Sequence, residues 1–205
     1  YSQDEINRML VALALQGLDV DRLKGGDPFI FGRGGEEIDA LNAAGLPWQV
    51  IPGITAAMGC AAAAGLPLTY RKVSRSLVLL TAHTDDEDEP DWTALSNSDQ
   101  TLAIYMPVAR IAAICNSLVA AGRPEDCPAA IIENGSTSQQ RLIRGTLATL
   151  PALANDAGVK SPALAIIGDV VALASGSLQP ASNELQTELW VKPASINRAG
   201  YGKTS

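Results

Sequence analysis

The segment from Arg22 to Glu37, RLKGGDPFIFGRGGEE, constrains this chain more than any other stretch. Five glycines, a proline, three basic residues and two adjacent glutamates share a short space. A plain connecting turn needs one glycine, yet here two glycine clusters flank the apolar Pro28-Phe29-Ile30-Phe31. Gly25 and Gly26 let the main chain approach a ligand with no Cβ in between. Asp27 can accept hydrogen bonds from hydroxyls or an amine. Pro28 restricts Asp27 to an extended backbone, which holds that carboxylate in place.

The flanking pattern says what kind of loop this is. Ser2-Gln3-Asp4-Glu5 reads as a capping box, followed by Ile6, Met9, Leu10 and Leu13 at helical spacing. Gly17 stops that helix, and 20–23 then reads as a short strand. Beyond the glycine-rich stretch, 36–44 is helical and Gly45 closes it. A second strand at 48–51, a Pro52-Gly53 turn and an alanine-rich helix at 55–64 follow. The order αβαβα is the rhythm of a parallel sheet, in which ligands settle at the loops after strands. One feature is unusual: the chain opens on a helix, with no strand before it. Either the fold starts unusually or its first strand lies outside this chain.

The segment 65–76 contains Pro67 and three basic residues and reads as a linker. After it come apolar strands at 77–82, 101–106, 129–133 and 164–167. A β-segment is expected near 141–146 and helices at 107–121, begun by Pro107, and 147–157. The acidic run 85–91 reads as a solvated turn, since it lacks the glycine that a calcium loop needs. The last thirty or so residues, rich in polar residues, are expected to be loose.

Composition excludes several classes. At 47% hydrophobic and 18% charged residues, a packed core is expected and global disorder is not. The net charge of -7 argues against a general nucleic-acid binder, although a local basic pocket is compatible with that total. Cys60, Cys115 and Cys127 form no CxxC, which excludes a disulfide scaffold or thiolate zinc site and points to a reducing cytoplasm. No apolar run reaches a membrane span, so no membrane partner is expected, and with neither a thiolate cluster nor a calcium loop no metal is expected. A dinucleotide fingerprint fails because its third glycine falls on Glu37, and the terminal GYGKTS lacks the first glycine of a phosphate loop. His83 reads as a structural residue at a strand end. Taken alone, Met106 is a core or rim residue, and Gly135 suits either a turn or a ligand wall.

RLKGGDPFIFGRGGEE, followed by VIPGITAA, TAH, YMP and IIENGSTSQQR, resembles the tetrapyrrole methylase family, and within it the uroporphyrinogen-III C-methyltransferases. Order and spacing agree from about Ser2 to Val171. Relatives that methylate later corrinoid intermediates share GGDP and ENG but usually lack the extended FGRGGEE. The resemblance implies an α/β fold of two lobes, each with a parallel or mixed sheet. Residues 1–75 would be the remainder of an incomplete first lobe plus a linker, 76–175 the second lobe, and 176–205 a mostly loose tail. It implies S-adenosyl-L-methionine as methyl donor in the cleft between lobes, a tetrapyrrole substrate, no metal, and a homodimer. The implied reaction methylates uroporphyrinogen III at C-2 and C-7 to precorrin-2, on the way to sirohaem or cobalamin. Gly25, Gly26 and Asp27, with Ile30 just beyond, match the family's donor-binding loop. Thr55 and Ala56 match a second donor contact, and Met106 and Gly135 match contacts from the second lobe. Arg33 resembles a family arginine near the tetrapyrrole, which suits a substrate with many carboxylates.

The sequence departs from the family at its start. The GxGPGDPxLLT-type loop and the acid and lysine positions tied to proton transfer have no counterpart, so no catalytic residue is assigned and weak or no turnover is expected. The competing readings are a non-catalytic donor-binding or dimerising remnant, and a methylase of a later corrinoid. Asp21 replaces an apolar family position and is expected near an exposed edge or bonded to a neighbour.

Overall fold

The computed structural model describes residues 1–83 and 89–174. The apolar runs after residue 75 pair into a single mixed sheet. Its strands are β1 (Ser76–Thr81), β2 (Gln100–Tyr105), β3 (Pro128–Glu133), β4 (Arg141–Thr146) and β5 (Ala163–Ile167). They stand in the order β1-β2-β5-β3-β4, with β1 and β2 parallel and every other pairing antiparallel. The last strand is therefore inserted between β2 and β3 and not added at an edge. Strands covered on both faces need apolar residues at every position. That is why β2, β3 and β5 read as unbroken apolar runs and β4, at the edge, does not.

Alternation along the central strands divides the core in two. Leu102, Ile104, Ala129, Ile131, Ala165 and Ile167 face one side, against helices α4 (Ile111–Ala120) and α5 (Leu150–Asp156). Ala103, Tyr105, Ala130, Ile132, Leu164 and Ile166 face the other, against α3 (Ala56–Ala63) and a 3₁₀ turn at Asp169–Leu173. Each fully buried Leu or Ile contributes about 1.5–3 kcal/mol. Truncating Ile131, which is fully buried, is therefore a change on the order of 2–5 kcal/mol. Buried Arg123 adds a polar pin, donating to the carbonyls of Leu95 (3.1 Å) and Gln100 (2.8 Å) and so fixing the entry to β2.

The first seventy-five residues are built differently. Helix α1 (Gln3–Leu15) has the expected capping box: Ser2 Oγ accepts the Glu5 N–H at 3.2 Å, and the Glu5 carboxylate accepts the Ser2 N–H at 2.7 Å. It ends where Gly17 turns left-handed (φ 80°) and donates to the Ala14 carbonyl. Helix α1 packs on α2 (Gly34–Ala43).

The expected strands at 20–23 and 48–51 do not form. A strand exists only where a neighbour takes its backbone groups, and neither segment joins a ladder among the described residues. Asp21 is exposed, so it escapes the cost of an unpaired buried carboxylate. Pro107 does not begin α4 either. The chain leaves β2 through a left-handed Met106, and the Arg110 N–H closes a separate turn onto the Pro107 carbonyl at 2.9 Å before the helix starts. The loose tail expected at 176–205, and all of the acidic run but its last three residues, lie outside the described residues. Among those described, no helix is long and apolar enough to cross a membrane, and no group of metal-ligating side chains gathers.

Candidate functional site

Asp27 joins two loops. One carboxylate oxygen accepts the Phe29 N–H at 2.9 Å, and the other accepts the Gly53 N–H at 3.2 Å. The loops meet so closely that a Cβ on Gly53 would sit 2.6 Å from the Gly26 carbonyl oxygen, which only glycine permits. Gly26 in turn lies against the backbone of Ile54, Thr55 and Ala56. Gly25 differs: no heavy atom lies within 4 Å of where its Cβ would be, so its main chain borders open space. Ile30 is half-buried and packs on the sheet face that carries Tyr105.

Thr55 is the N-cap of α3, yet its side chain does not cap the helix. Its hydroxyl bonds the Tyr105 hydroxyl at 2.5 Å, and the Tyr105 oxygen accepts the Ala57 N–H at 3.0 Å. The N–H groups of Met58 and Gly59 both reach the Thr55 carbonyl. Of the first-turn donors, only the Ala56 N–H lacks an acceptor among the described residues. The Tyr105 ring also meets Phe31, with centroids 4.8 Å apart. Tyr105 thus touches both loops while standing at the end of β2. Sequence reasoning passed over it, and the residue type at a strand end gives no signal of a bond made fifty positions away.

Two further loops approach from the sheet. Met106 follows Tyr105 and is half-exposed. Gly135, after β3, lies over α3 so tightly that a Cβ would fall 2.2 Å from the Cys60 sulfur. Its need for glycine is therefore set by packing on α3. Glu133 anchors this loop: its buried carboxylate accepts the Lys160 N–H at 2.8 Å and pairs with Arg141, which together hold its pKa down.

Backbone strain concentrates here. Phe31, Arg33, Met106, Asn134 and Ser136 all adopt left-handed φ between 50° and 64°, leaving Lys72 as the one other non-glycine residue to do so among those described. Such positions cost about 1–3 kcal/mol each and persist where the surroundings over-determine them.

On the flank, Arg33 grips the exposed Glu36 through two hydrogen bonds of 2.7 Å, and that contact lowers the Glu36 pKa. Glu37 points the other way and is buried. Burial pushes its carboxyl up, but hydrogen bonds from Lys24, Gln3 and Arg22 outweigh this and hold it below the ordinary range. Lys24 immediately precedes Gly25, so this buried cluster fixes the approach to the open loop.

The expected site residues therefore fall on four loops: Gly25, Gly26, Asp27 and Ile30 on the first, Thr55 and Ala56 on the second, Met106 and Gly135 on the third and fourth. Contacts link the first, second and third through Asp27 and Tyr105, and the fourth to α3. Arg33 stands at the start of α2, outside this contact set as described.

The family profile described as Tetrapyrrole (Corrin/Porphyrin) Methylases matches residues 2–151. The siroheme synthase of Pseudomonas aeruginosa is 55% identical over 173 residues, which are 83% of this chain and 37% of that protein. The siroheme synthase of Methylobacillus flagellatus is 51% identical over 172 residues, again 83% of this chain and 37% of the relative. The chain thus spans just over a third of the length of these curated relatives. Among solved structures, the uroporphyrin-III C-methyl transferase of Thermus thermophilus complexed with S-adenosyl homocysteine superposes with a TM-score of 0.73 at 35% identity, covering 83% of this chain and 75% of that one.

Proposed function

The chain belongs to the tetrapyrrole (corrin/porphyrin) methylases, and from that membership we propose that it serves the S-adenosyl-L-methionine-dependent C-methylation of uroporphyrinogen III, at C-2 and C-7, to precorrin-2. The observation that carries this reading is the junction of the GGDP and PGITAA loops. Asp27 locks the two together, while Gly25 borders open space and the Ala56 N–H has no acceptor among the described residues.

These residues fit a nucleoside-bearing donor. Bare peptide groups at Gly25 and Gly26 allow flat contact, and a free N–H at a helix start suits an oxygen or ring nitrogen acceptor. Bound there, S-adenosyl-L-methionine supplies a methyl group on a sulfonium, open to in-line attack by an electron-rich pyrrole carbon. The chain's task is alignment and the exclusion of water, which together are worth many powers of ten when the geometry is good. Met106 and Gly135 supply further donor contacts from the loops after β2 and β3, and Arg33, paired with Glu36, presents a planar cation to the substrate's carboxylates. A base must take the ring proton, and none of the described residues is assigned to it. No metal enters the proposal. The protein acts as a homodimer in the cytoplasm; three unpaired cysteines suit that reducing compartment.

A second reading, a donor-binding or dimerising chain without turnover, is favoured by the apolar side chains of Leu15, Leu23, Ile51 and Ile54, all largely exposed. One experiment separates the two. The chain is titrated calorimetrically with S-adenosylhomocysteine, then incubated with S-adenosyl-L-methionine and uroporphyrinogen III, and the product is weighed by mass spectrometry. Binding with a gain of two methyl groups supports the first reading. Binding without turnover supports the second. Methylation of a later corrinoid, supplied in place of uroporphyrinogen III, reassigns the substrate, and absence of binding removes the donor reading and leaves only the dimerising one.

A further inference from the structure

We propose that Tyr105 is a positioning residue of the donor site, acting through the first turn of α3. The inference rests on the donor reading of the Gly25 and Ala56 loops. Its own basis is the geometry around one hydroxyl. A helix start leaves its first N–H groups without intrahelical partners, and the N-cap side chain ordinarily satisfies one of them. Thr55 is placed for that work but does not perform it. Its hydroxyl turns to Tyr105 at 2.5 Å, and Tyr105 takes the Ala57 N–H at 3.0 Å in its stead. The cap of α3 is therefore supplied by the sheet.

This arrangement has a directional consequence. With Ala57 satisfied by Tyr105, and Met58 and Gly59 by the Thr55 carbonyl, Ala56 alone of these first-turn donors has no acceptor among the described residues. Had Thr55 capped its own helix, its side chain would lie across the helix start, where a ligand would have to approach. Withdrawing it towards β2 clears that approach. The ring of Tyr105 adds a second restraint by packing on Phe31, whose left-handed backbone (φ 52°) shapes the far end of the GGDP loop. One buried side chain thereby sets the spacing between both loops that Asp27 also bridges. The hydroxyl has no role in the chemistry itself, because it is buried and committed to α3.

The test compares Tyr105→Phe, which keeps the ring and removes the hydroxyl, with Tyr105→Leu, which removes both. S-adenosylhomocysteine affinity is measured by calorimetry well below each variant's melting temperature. Amide resonances of Ala56 and Ala57 are followed without ligand. The expected result is a donor affinity about three- to tenfold weaker in Tyr105→Phe, the range of one hydrogen bond, with displaced Ala56 and Ala57 resonances and unmoved β3 and β5 resonances. Tyr105→Leu should weaken binding further. Thr55→Val should cause little additional loss in the Tyr105→Phe background, since the two hydroxyls act as one unit. A lower melting temperature with unchanged affinity and unmoved Ala56 would assign Tyr105 to stability alone and overturn the proposal. If the unaltered chain does not bind S-adenosylhomocysteine, the donor reading falls and takes this inference with it. If it binds and Tyr105→Phe binds equally well, only the inference falls.

Discussion

The carboxylate of Asp27 and the main-chain N–H of Gly53 lie 3.2 Å apart, which ties together two loops 26 residues apart in sequence. Since the other oxygen holds the Phe29 N–H, both oxygens of Asp27 already serve the protein's own backbone. Asp27 thereby shapes the junction as well as bordering it. Asp27→Ala should cost about 1–2 kcal/mol of stability and weaken S-adenosylhomocysteine binding by more than tenfold, as read by melting and calorimetry. Asp27→Asn keeps one oxygen acceptor and should fall between. Unchanged affinity in Asp27→Ala would remove the loop junction from the binding account.

Gly135 offers a purely steric prediction, since its backbone is not among the left-handed ones. Gly135→Ala would place a methyl 2.2 Å from the Cys60 sulfur and 2.9 Å from its Cβ. Overpacking of this kind costs roughly 1–3 kcal/mol. Adding Cys60→Ala removes the sulfur but leaves the second contact, so the double variant should recover part of the loss. Urea denaturation of the single and double variants checks this, and no recovery would mean that the strain lies elsewhere.

Most of the sheet was legible in the sequence because burial on both faces forces continuous apolar runs, as in Leu102 to Tyr105 and Ala129 to Ile132. The order of the strands was not, since the insertion of β5 between β2 and β3 depends on pairings that no local pattern encodes. Segments 20–23 and 48–51 have the residues of strands and lack the neighbours, so propensity alone misled there. The GGDP loop could be recognised because glycine and proline announce backbone demands directly. Tyr105 could not, because its value lies in a hydroxyl that reaches Thr55 and Ala57 across 50 and 48 positions. Gly135 was legible as a special position, but the reason for it, the Cys60 side chain of α3, was visible only once the chain had folded.

The buried cluster behind the open loop yields a contrast between neighbouring glutamates. Glu37 is buried and bonded by Lys24 and Arg22, whereas Glu36 is exposed and paired only at the surface with Arg33. Glu37→Gln leaves the Lys24 ammonium, itself largely buried, without its carboxylate. The expected cost is about 2–3 kcal/mol, below that of a fully enclosed pair because Arg22 is partly solvated. Glu36→Gln, at an exposed surface pair, should leave stability essentially unchanged. Chemical denaturation distinguishes the two, and equal losses would contradict the described burial.

Glu133 gives a pH dependence with a definite sign. Hydrogen bonds from Arg141 and the Lys160 N–H lower its folded-state pKa. A lowered pKa means that the unfolded chain takes up the proton first on acidification, so stability falls as pH falls. The contribution is complete at neutral pH, above the ordinary glutamate range, and disappears as pH drops through the lowered value. The melting-temperature gap between the unaltered chain and Glu133→Gln should accordingly be widest near pH 7 and close in acid. A gap that persists unchanged into strong acid would show that the carboxylate's charge contributes nothing.

The most direct test of the whole account is a crystal structure of the chain grown with S-adenosylhomocysteine. The expected result places the nucleoside against the main chain of Gly25 and Gly26, with an acceptor atom on the Ala56 N–H and Met106 and Gly135 on the opposite side. A nucleoside lodged elsewhere, with residues 25–27 and the start of α3 turned away from it, would contradict the assignment of this loop junction as the donor site.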